Sequence, residues 1–222
     1  MLAVETWKSG SAARFPVRNL IGALLDGDGA EAYELAERVL LETRSRTAVF
    51  ADLLHPAQAE IGNLWYTGRV SYADEVRVAS IIRRIVDRLA PTPAARPVRR
   101  GSRCVLAVPH GDPHDIGLVM FARALEDHGW SIEVIGPAHG LCDISEIVRE
   151  RRPRLFGLSA GTLPALSQVE RTIATIKKAR VPVLVGGVAF NRRPDLWRRL
   201  GADGLGTDVR VGVVLAGRLG GR

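Results

Sequence analysis

The chain has 222 residues, 46% hydrophobic and 25% charged, with a formal net charge of +7, a composition typical of one large globular domain or two small ones. No apolar run approaches the ~20 residues of a membrane-spanning helix and the first residues lack a secretory-signal pattern, so we expect no membrane partner. The two cysteines, Cys104 and Cys142, are too few for a disulfide framework and lack metal-ligand spacing, which favours a cytoplasmic protein.

The first 90 residues carry apolar side chains at helical spacing. Four helical stretches follow one another, at residues 15–29, 30–45, 46–68 and 72–89. Pro56 removes a backbone donor within the third stretch, so we predict a bend or a restart there. Ser71 is placed to cap the fourth stretch, which has acidic residues in its first turn. Four helices with short connections predict an antiparallel bundle over residues 1–90.

Residues 91–102 consist mainly of Pro, Ala and Arg without apolar periodicity, which predicts an exposed linker. Beyond it, short apolar strands are predicted at 103–109, 131–137, 154–160, 181–187 and, more weakly, 202–208. Helical stretches alternate with them at 116–128, 143–152, 165–179, 193–200 and 208–219. This alternation predicts an α/β fold over residues 103–222: a flavodoxin-like (Rossmann-like), doubly wound, parallel sheet of five strands.

Small and polar residues follow the predicted strands at the edge where such sheets bind ligands. They are Asp112, His114 and Gly117 after the first strand, Ser159, Gly161 and Thr162 after the third, Gly186 and Gly187 after the fourth, and Gly206, Thr207 and Asp208 after the fifth. Because glycine lets a ligand approach the backbone, these residues predict a deep slot.

Several chemistries are disfavoured at this edge. There is no G-x-x-x-x-G-K-[ST] phosphate loop, no G-x-G-x-x-G after the first strand and no G-x-S-x-G elbow for a relay of Ser159, His114 and Asp112. A histidine held by a carboxylate suits a metal whose other positions a macrocycle fills. The alternative is a turn histidine beside a helix-capping aspartate. Basic clusters at 149–154 and 192–199 could meet phosphates or an acidic partner, but no DNA- or RNA-binding signature accompanies them.

The segment from Asp112 to Gly117 matches D-x-H-x-x-G, and the chain resembles cobalamin-binding domains of the methionine synthase type. Ser159 resembles the serine of that family's S-x-L element, and the pair Gly186 and Gly187 resembles its G-G element. The resemblance implies cobalamin bound with its own base displaced, and His114 as the lower axial ligand of cobalt.

The same resemblance implies roles for the neighbouring residues. Asp112 would be the hydrogen-bond partner of His114, Ser159 would contact either the nucleotide chain or the displaced base, and the glycines would admit the nucleotide tail. Further cofactor contacts are expected from Asp115, Ile116, Gly117 and Thr162. Gly161 stands where the family often has leucine, a departure in the packing of the tail.

The helical half resembles that of cobalamin-dependent photoreceptors of the CarH/LitR type, in which it covers the upper face of the corrin. Those proteins have Trp, nine residues, then Glu-His. This chain has Trp65, nine residues, then Glu75 and Val76. Val76 cannot coordinate cobalt as that histidine does, and Tyr72 adds bulk where an adenosyl group would lie. We expect all four side chains to contact the cofactor.

The resemblance implies a cobalamin-binding sensor of light, not an enzyme, whose cobalt carries an adenosyl, methyl or hydroxo upper ligand. Changes in that ligand would alter the contact between the two halves. Alternatives are a corrinoid carrier in methyl transfer and a regulator that reports cobalamin abundance. Photocobilin relatives hold a linear tetrapyrrole, so a bilin such as biliverdin is a further hypothesis. We expect a homodimer or a separate output protein, and no direct DNA binding, because the first 15 residues cannot supply DNA-binding helices.

Overall fold

The computed structural model describes residues 15–89, 91, 102–136, 144–162 and 166–220. The chain divides into two compact units, a helical unit over residues 1–92 and a sheet unit over residues 93–222. Most of the predicted linker, Cys142, the first 14 residues and positions 137, 143 and 165, where predicted elements begin or end, lie outside the described residues.

The helical unit follows the predicted stretches closely. Its elements are α1 (Val17–Asp26), α2 (Gly29–Thr43), α3 (Arg46–Val49), a π-helical turn (Phe50–Leu54), α4 (His55–Tyr66) and α5 (Tyr72–Arg88). Side chains start three of the helices: Asp28 accepts from the first turn of α2, Ser45 from α3, and Ser71 forms a capping box with Asp74 on α5. The apolar faces of these helices are buried against one another, with Leu20, Leu24 and Ile82 fully buried.

The predicted irregularity near Pro56 takes the form of the π-helical turn. The His55 amide donates to the carbonyl of Phe50, one residue farther back than in an α-helix. Pro56 has no amide proton to donate and therefore cannot continue the regular ladder across this point. The third predicted helical stretch is thus one continuous helix, which runs from α3 through the π-helical turn into α4.

The sheet unit has five parallel strands in the order β2-β1-β3-β4-β5. They are β1 (Arg103–Ala107), β2 (Ser131–Ile135), β3 (Leu155–Ser159), β4 (Val183–Gly186) and β5 (Gly204–Gly206). The helices are α6 (Ile116–Asp127), α7 (Ile144–Arg151), α8 (Leu166–Lys178), α9 (Val188–Arg192), α10 (Leu196–Arg199) and α11 (Val209–Gly220). Two apolar clusters flank the sheet, so the predicted fold class is confirmed.

Three details differ from the sequence-based expectation. The first strand ends at Ala107 rather than at residue 109, because Pro109 has no amide to extend the ladder. Helix α9, which follows Gly187 directly, was not predicted, since five residues are too few to show a period. The helix predicted at 193–200 is reduced to α10.

The strand order reverses between β1 and β3, which places the turns that follow these strands side by side. Such a switch point forms a crevice at the carboxyl ends of the strands. Among the described residues, no helix is both long enough and apolar enough to cross a membrane.

Candidate functional site

The turn after β1 is organised around the carboxylate of Asp112, whose side chain is 1% exposed. One oxygen, Oδ1, lies 2.7 Å from Nδ1 of His114 and accepts from the His114 amide at 3.1 Å. The other, Oδ2, accepts from the amide of Gly161 at 2.6 Å. A single buried side chain therefore ties the turn after β1 to the turn after β3. The two predicted site segments meet as expected at the switch point.

The electrostatics of this pair fix the role of each group. Burial by itself would raise the pKa of Asp112, but the hydrogen bonds from the His114 ring, the Gly161 amide and the His114 amide outweigh it, so the pKa is lowered. An ionised carboxylate accepts the proton on Nδ1, which places the ring lone pair on Nε2. The His114 side chain is 50% exposed. This arrangement is the one that orients an imidazole toward a metal.

Gly161 is required by the close approach of the imidazole. A Cβ at this position would lie 2.5 Å from Cγ and Nδ1 of His114. A larger residue such as leucine would therefore displace the ring and disturb the amide that binds Asp112. Gly161 thus makes room for the ring of His114. The sequence resemblance indicated a role for this glycine only in the packing of the nucleotide tail.

Three predicted residues, Ser159, Gly186 and Gly187, lie where β3 and β4 end. Together with Val188, which was not predicted, they are here called the β3–β4 slot. Ser159 is opposite Gly186 in the register, and its hydroxyl makes no hydrogen bond to any described residue. Gly187 has φ +93°, and a Cβ there would lie 2.5 Å from the carbonyl oxygen of Ala160. The slot therefore needs glycine and offers one unused hydroxyl.

The other residues near His114 that are predicted to contact the cofactor differ in how accessible they are. Asp115 precedes α6, and Ile116 is buried, so only its backbone faces the turn. A Cβ on Gly117 would meet no atom within 4 Å, which leaves the surface beside the first turn of α6 open. Thr162 is half-buried after β3.

The predicted residues after β5 serve the fold rather than an open site. Oδ1 of Asp208 accepts from the amide of Val211 at 2.8 Å and caps α11. The carbonyl of Thr207 accepts from the side chain of Asn191. A Cβ on Gly206 would lie 3.2 Å from Cα of Gly212, so glycine here allows β5 to pack against α11.

On the helical unit, the predicted upper-face residues form an exposed cluster, here called the aromatic patch: Trp65, Tyr72, Glu75 and Val76. Trp65 is 44% exposed, Tyr72 69% and Val76 46%, and the rings of Trp65 and Tyr72 lie 6.3 Å apart between centroids. The carboxylate of Glu75 makes no hydrogen bond or ion pair with any described residue. A tryptophan in a helical bundle is usually buried, so the exposure of Trp65 sets this patch apart from the buried apolar faces of the bundle.

No group of three or more His, Cys, Asp or Glu side chains able to hold a metal occurs in the described part of the chain. Cys104 is buried, and burial raises the pKa of its thiol, so it is an inert core residue.

The sequence interpretation missed three features of the site. Gly111 adopts φ +75° and turns the chain between β1 and Asp112. The His110 amide donates to the side chain of Gln168 on α8, which anchors the same turn. Val188 is 47% exposed directly after Gly187. The Gly-Asp pair was a readable turn signal, whereas the contact with Gln168 joins distant segments and had none.

Two family profiles match the chain, both described as a B12 binding domain. One covers residues 102–214 and the other covers residues 17–90. Together they span the sheet unit with the Asp112–His114 pair and the helical unit with the aromatic patch.

Two relatives are similar over most of the chain. An uncharacterized 20.5 kDa protein from the bchF-crtJ intergenic region of Rhodobacter capsulatus is 27% identical over 163 residues, which are 70% of this chain and 83% of that protein. The HTH-type transcriptional repressor CarH of Myxococcus xanthus is 28% identical over 199 residues, 88% of this chain. The match spans 62% of that repressor's length.

Among solved structures, the monomethylamine corrinoid protein of Methanosarcina barkeri is similar in fold. The TM-score is 0.75 at 14% sequence identity, over 89% of this chain and 95% of that one. At this identity the likeness concerns the fold, and it agrees with a helical region followed by a parallel sheet flanked by helices.

Proposed function

The chain belongs to the B12-binding domain family, and from this premise we propose that it is a light sensor that holds cobalamin with His114 below cobalt. The observation that carries the proposal is the ionised, buried Asp112, whose Oδ1 lies 2.7 Å from Nδ1 of an exposed imidazole. That contact fixes the tautomer that ligates through Nε2. Cobalamin, when bound, supplies the metal and a light-sensitive bond between cobalt and its upper carbon ligand.

The residues present fit such a group on their own geometry. Asp112 holds the ring of His114 in place, and Gly161 leaves the space that the ring needs. The β3–β4 slot supplies a conformation that only glycine adopts readily at Gly187, and the unused hydroxyl of Ser159. We assign the displaced base and nucleotide tail to this slot, because a long polar ligand needs both room along the backbone and a hydrogen-bond partner.

The aromatic patch supports a sensor. Two exposed rings and Val76 form an apolar surface beside a carboxylate, Glu75, that no described residue neutralises. We propose that Trp65 and Tyr72 contact the upper ligand and respond when light removes it. The similarity to a transcriptional repressor over 88% of the chain agrees with a regulatory role. The protein would act by changing its association with a second copy or with a separate output protein.

The experiment is reconstitution of the full chain with adenosylcobalamin in the dark, followed by a measured light dose. We expect the absorption spectrum to change faster than that of free cofactor, and the molar mass from light scattering to change with it. Loading with hydroxocobalamin is the control, because it lacks the cobalt–carbon bond and should give no light response. A spectrum that moves no faster than free cofactor, with constant mass, would contradict light sensing.

One observation favours a second candidate, a corrinoid carrier in methyl transfer. Val76 has no atom that can coordinate cobalt, so nothing at that position would trap the metal after loss of its upper ligand. A carrier predicts that the reduced, cobalamin-loaded chain accepts a methyl group from a methyltransferase and shows no mass change in light. A regulator that reports cobalamin abundance instead predicts a mass change on cofactor addition in the dark, without further change on illumination.

A more specific hypothesis is that the aromatic patch binds a bilin such as biliverdin as a second chromophore. Tyr66, the residue after Trp65, is 77% exposed, so three aromatic side chains of the helical unit are accessible to a ligand with extended conjugation. The test is the spectrum of pigment bound when the chain is mixed with biliverdin and cobalamin together. A red absorption band that saturates at one equivalent and weakens in Trp65→Ala supports the hypothesis, and its absence contradicts it.

A further inference from the structure

At the opposite end of the sheet from His114 lies a large cleft, which no cofactor role uses. It has a volume of about 1040 Å³ and is formed where β3 and β4 begin and where α7, α8 and α11 end. The residues that line it are Ser145, Val148, Arg149, Arg152, Pro153, Arg154, Thr175, Lys178, Ala179, Arg180, Val181, Pro182, Leu219 and Gly220. Here it is called the basic cleft.

Four cationic side chains of the basic cleft lack a partner. Arg152, Arg154, Lys178 and Arg180 are exposed, and none makes a hydrogen bond or ion pair through its side chain with any described residue. Neighbouring cations do have partners: Arg149 pairs with Glu146. No acidic residue lines the cleft.

Helix dipoles do not account for this charge. Three helices end at the cleft, and each carboxyl end carries a partial charge of about −0.5, or about −1.5 in total. Four formal positive charges exceed that by roughly 2.5 charges. The helix ends therefore offset one or two of the cations, and the cleft keeps a net positive charge.

The second observation is the backbone conformation of two arginines in the cleft. Arg152 and Arg180 have φ of +46° and +57°, in the left-handed region that is sterically unfavourable for a residue with a Cβ. Both positions follow a helix end, where glycine is the usual residue. Only one other described non-glycine residue, Arg44 on the helical unit, has positive φ. The cleft thus keeps two arginines at positions where glycine, which has no Cβ, would fit more easily.

We propose that the basic cleft binds a small molecule that carries two or more phosphate groups. Arginine and lysine bind phosphate oxygens strongly, and a concave site concentrates several such groups on one ligand. Pro153, Pro182 and Leu219 add an apolar wall for the rest of the molecule. A concave cleft with converging charges favours a compact polyanion over an extended nucleic-acid backbone, which needs a stripe of charge along a surface.

The test is titration of the full chain with tripolyphosphate by calorimetry, with inorganic phosphate and a single-stranded oligonucleotide in parallel. The variant carries Arg152→Gly and Arg180→Gly together, because glycine adopts positive φ without steric cost and so removes charge while the fold is kept. Arg44→Gly is the control, since it removes one arginine at the same kind of backbone position but outside the cleft. Lys178→Gln, on a regular helix, is an independent second variant.

We expect one saturable site for tripolyphosphate, weaker binding of inorganic phosphate, and a loss of about tenfold or more in the double variant. Arg44→Gly should bind within about twofold of the unsubstituted chain, and Lys178→Gln should weaken binding. Cobalamin uptake should be unchanged in every variant, so this proposal and the proposed function fail separately. No saturable binding, equal loss in Arg44→Gly, or a higher affinity for the oligonucleotide than for tripolyphosphate would overturn the proposal.

Discussion

Each unit of the molecule contains a carboxylate with a lowered pKa, and the two differ in how the chain builds them. Asp74 lies in a capping box on the exposed first turn of α5, where the Ser71 hydroxyl three residues away is the main cause of the lowered pKa. Asp112 is buried and binds Gly161, 49 residues away, as well as His114. The carboxylate of the helical unit thus depends on local contacts, whereas the carboxylate of the sheet unit joins segments that are distant in sequence.

This difference indicates a division of labour. A ligand that must stay in a fixed position needs a preorganised partner, which the buried Asp112 network provides. Under the proposed function, the exposed rings of Trp65 and Tyr72 would respond to a change in the upper ligand. Substitutions in the sheet unit should therefore change affinity, and substitutions in the aromatic patch should change the response.

The largest effect is expected from His114→Ala. Loss of the ligand itself should weaken cobalamin binding more than loss of a supporting group, by more than about 100-fold, or return the spectrum to that of base-on cofactor. His110→Ala is the matched control, since the described contact of His110 uses its backbone amide. Absorption titration measures both variants. An unchanged affinity and spectrum in His114→Ala would contradict the assignment.

Asp112→Asn should follow, with cobalamin affinity reduced by about 10- to 100-fold. Because the pKa of Asp112 is lowered on folding, its contribution to stability is complete above the unfolded value of about 4 and is lost as pH falls through the lowered one. Thermal unfolding of the cofactor-free chain between about pH 6 and pH 2 measures this. The variant should lose less stability over that range than the unsubstituted chain, and parallel curves would contradict the role of Asp112.

Gly161→Ala should reduce affinity by about tenfold, because its Cβ would lie 2.5 Å from the ring of His114 and overpacking of this kind costs about 1–3 kcal/mol. Gly22→Ala in α1 is the control, since a Cβ there meets no atom within 4 Å. That change should raise the unfolding free energy by about 0.5–1 kcal/mol and leave binding intact. Equal affinity in both variants would show that the close approach to His114 is unimportant.

The smallest effect on affinity is expected from Trp65→Ala. The side chain is 44% exposed, so its removal should change the unfolding free energy by less than about 1 kcal/mol and cobalamin uptake by only a few-fold. The rate of the light-induced spectral change should shift instead. Leu41→Ala, at a 73% exposed position of the same unit, is the control and should change neither cobalamin uptake nor the rate of the light-induced spectral change. A large loss of uptake in Trp65→Ala would remove the distinction between the two units.

The sequence predicted the parts of the molecule that rest on local patterns. The apolar strands, the cap at Ser71 and the irregularity before Pro56 are all properties of short segments. The Asp112–His114 contact also lies within one turn. The amide bond from Gly161 and the steric need for glycine beside the imidazole join segments 49 residues apart, so no period or motif reveals them. Helical periodicity alone would place Trp65 in a core, and only the resemblance to the photoreceptor pattern indicated an accessible side chain.

The most direct test of the central claim is electron paramagnetic resonance of the chain loaded with reduced, divalent-cobalt cobalamin, prepared once with ordinary histidine and once with nitrogen-15 histidine. If His114 binds cobalt, the nitrogen splitting changes from a triplet to a doublet with the labelled protein, because the two isotopes differ in nuclear spin. If the triplet persists in the labelled sample, the nitrogen below cobalt is the cofactor's own, and the account is wrong.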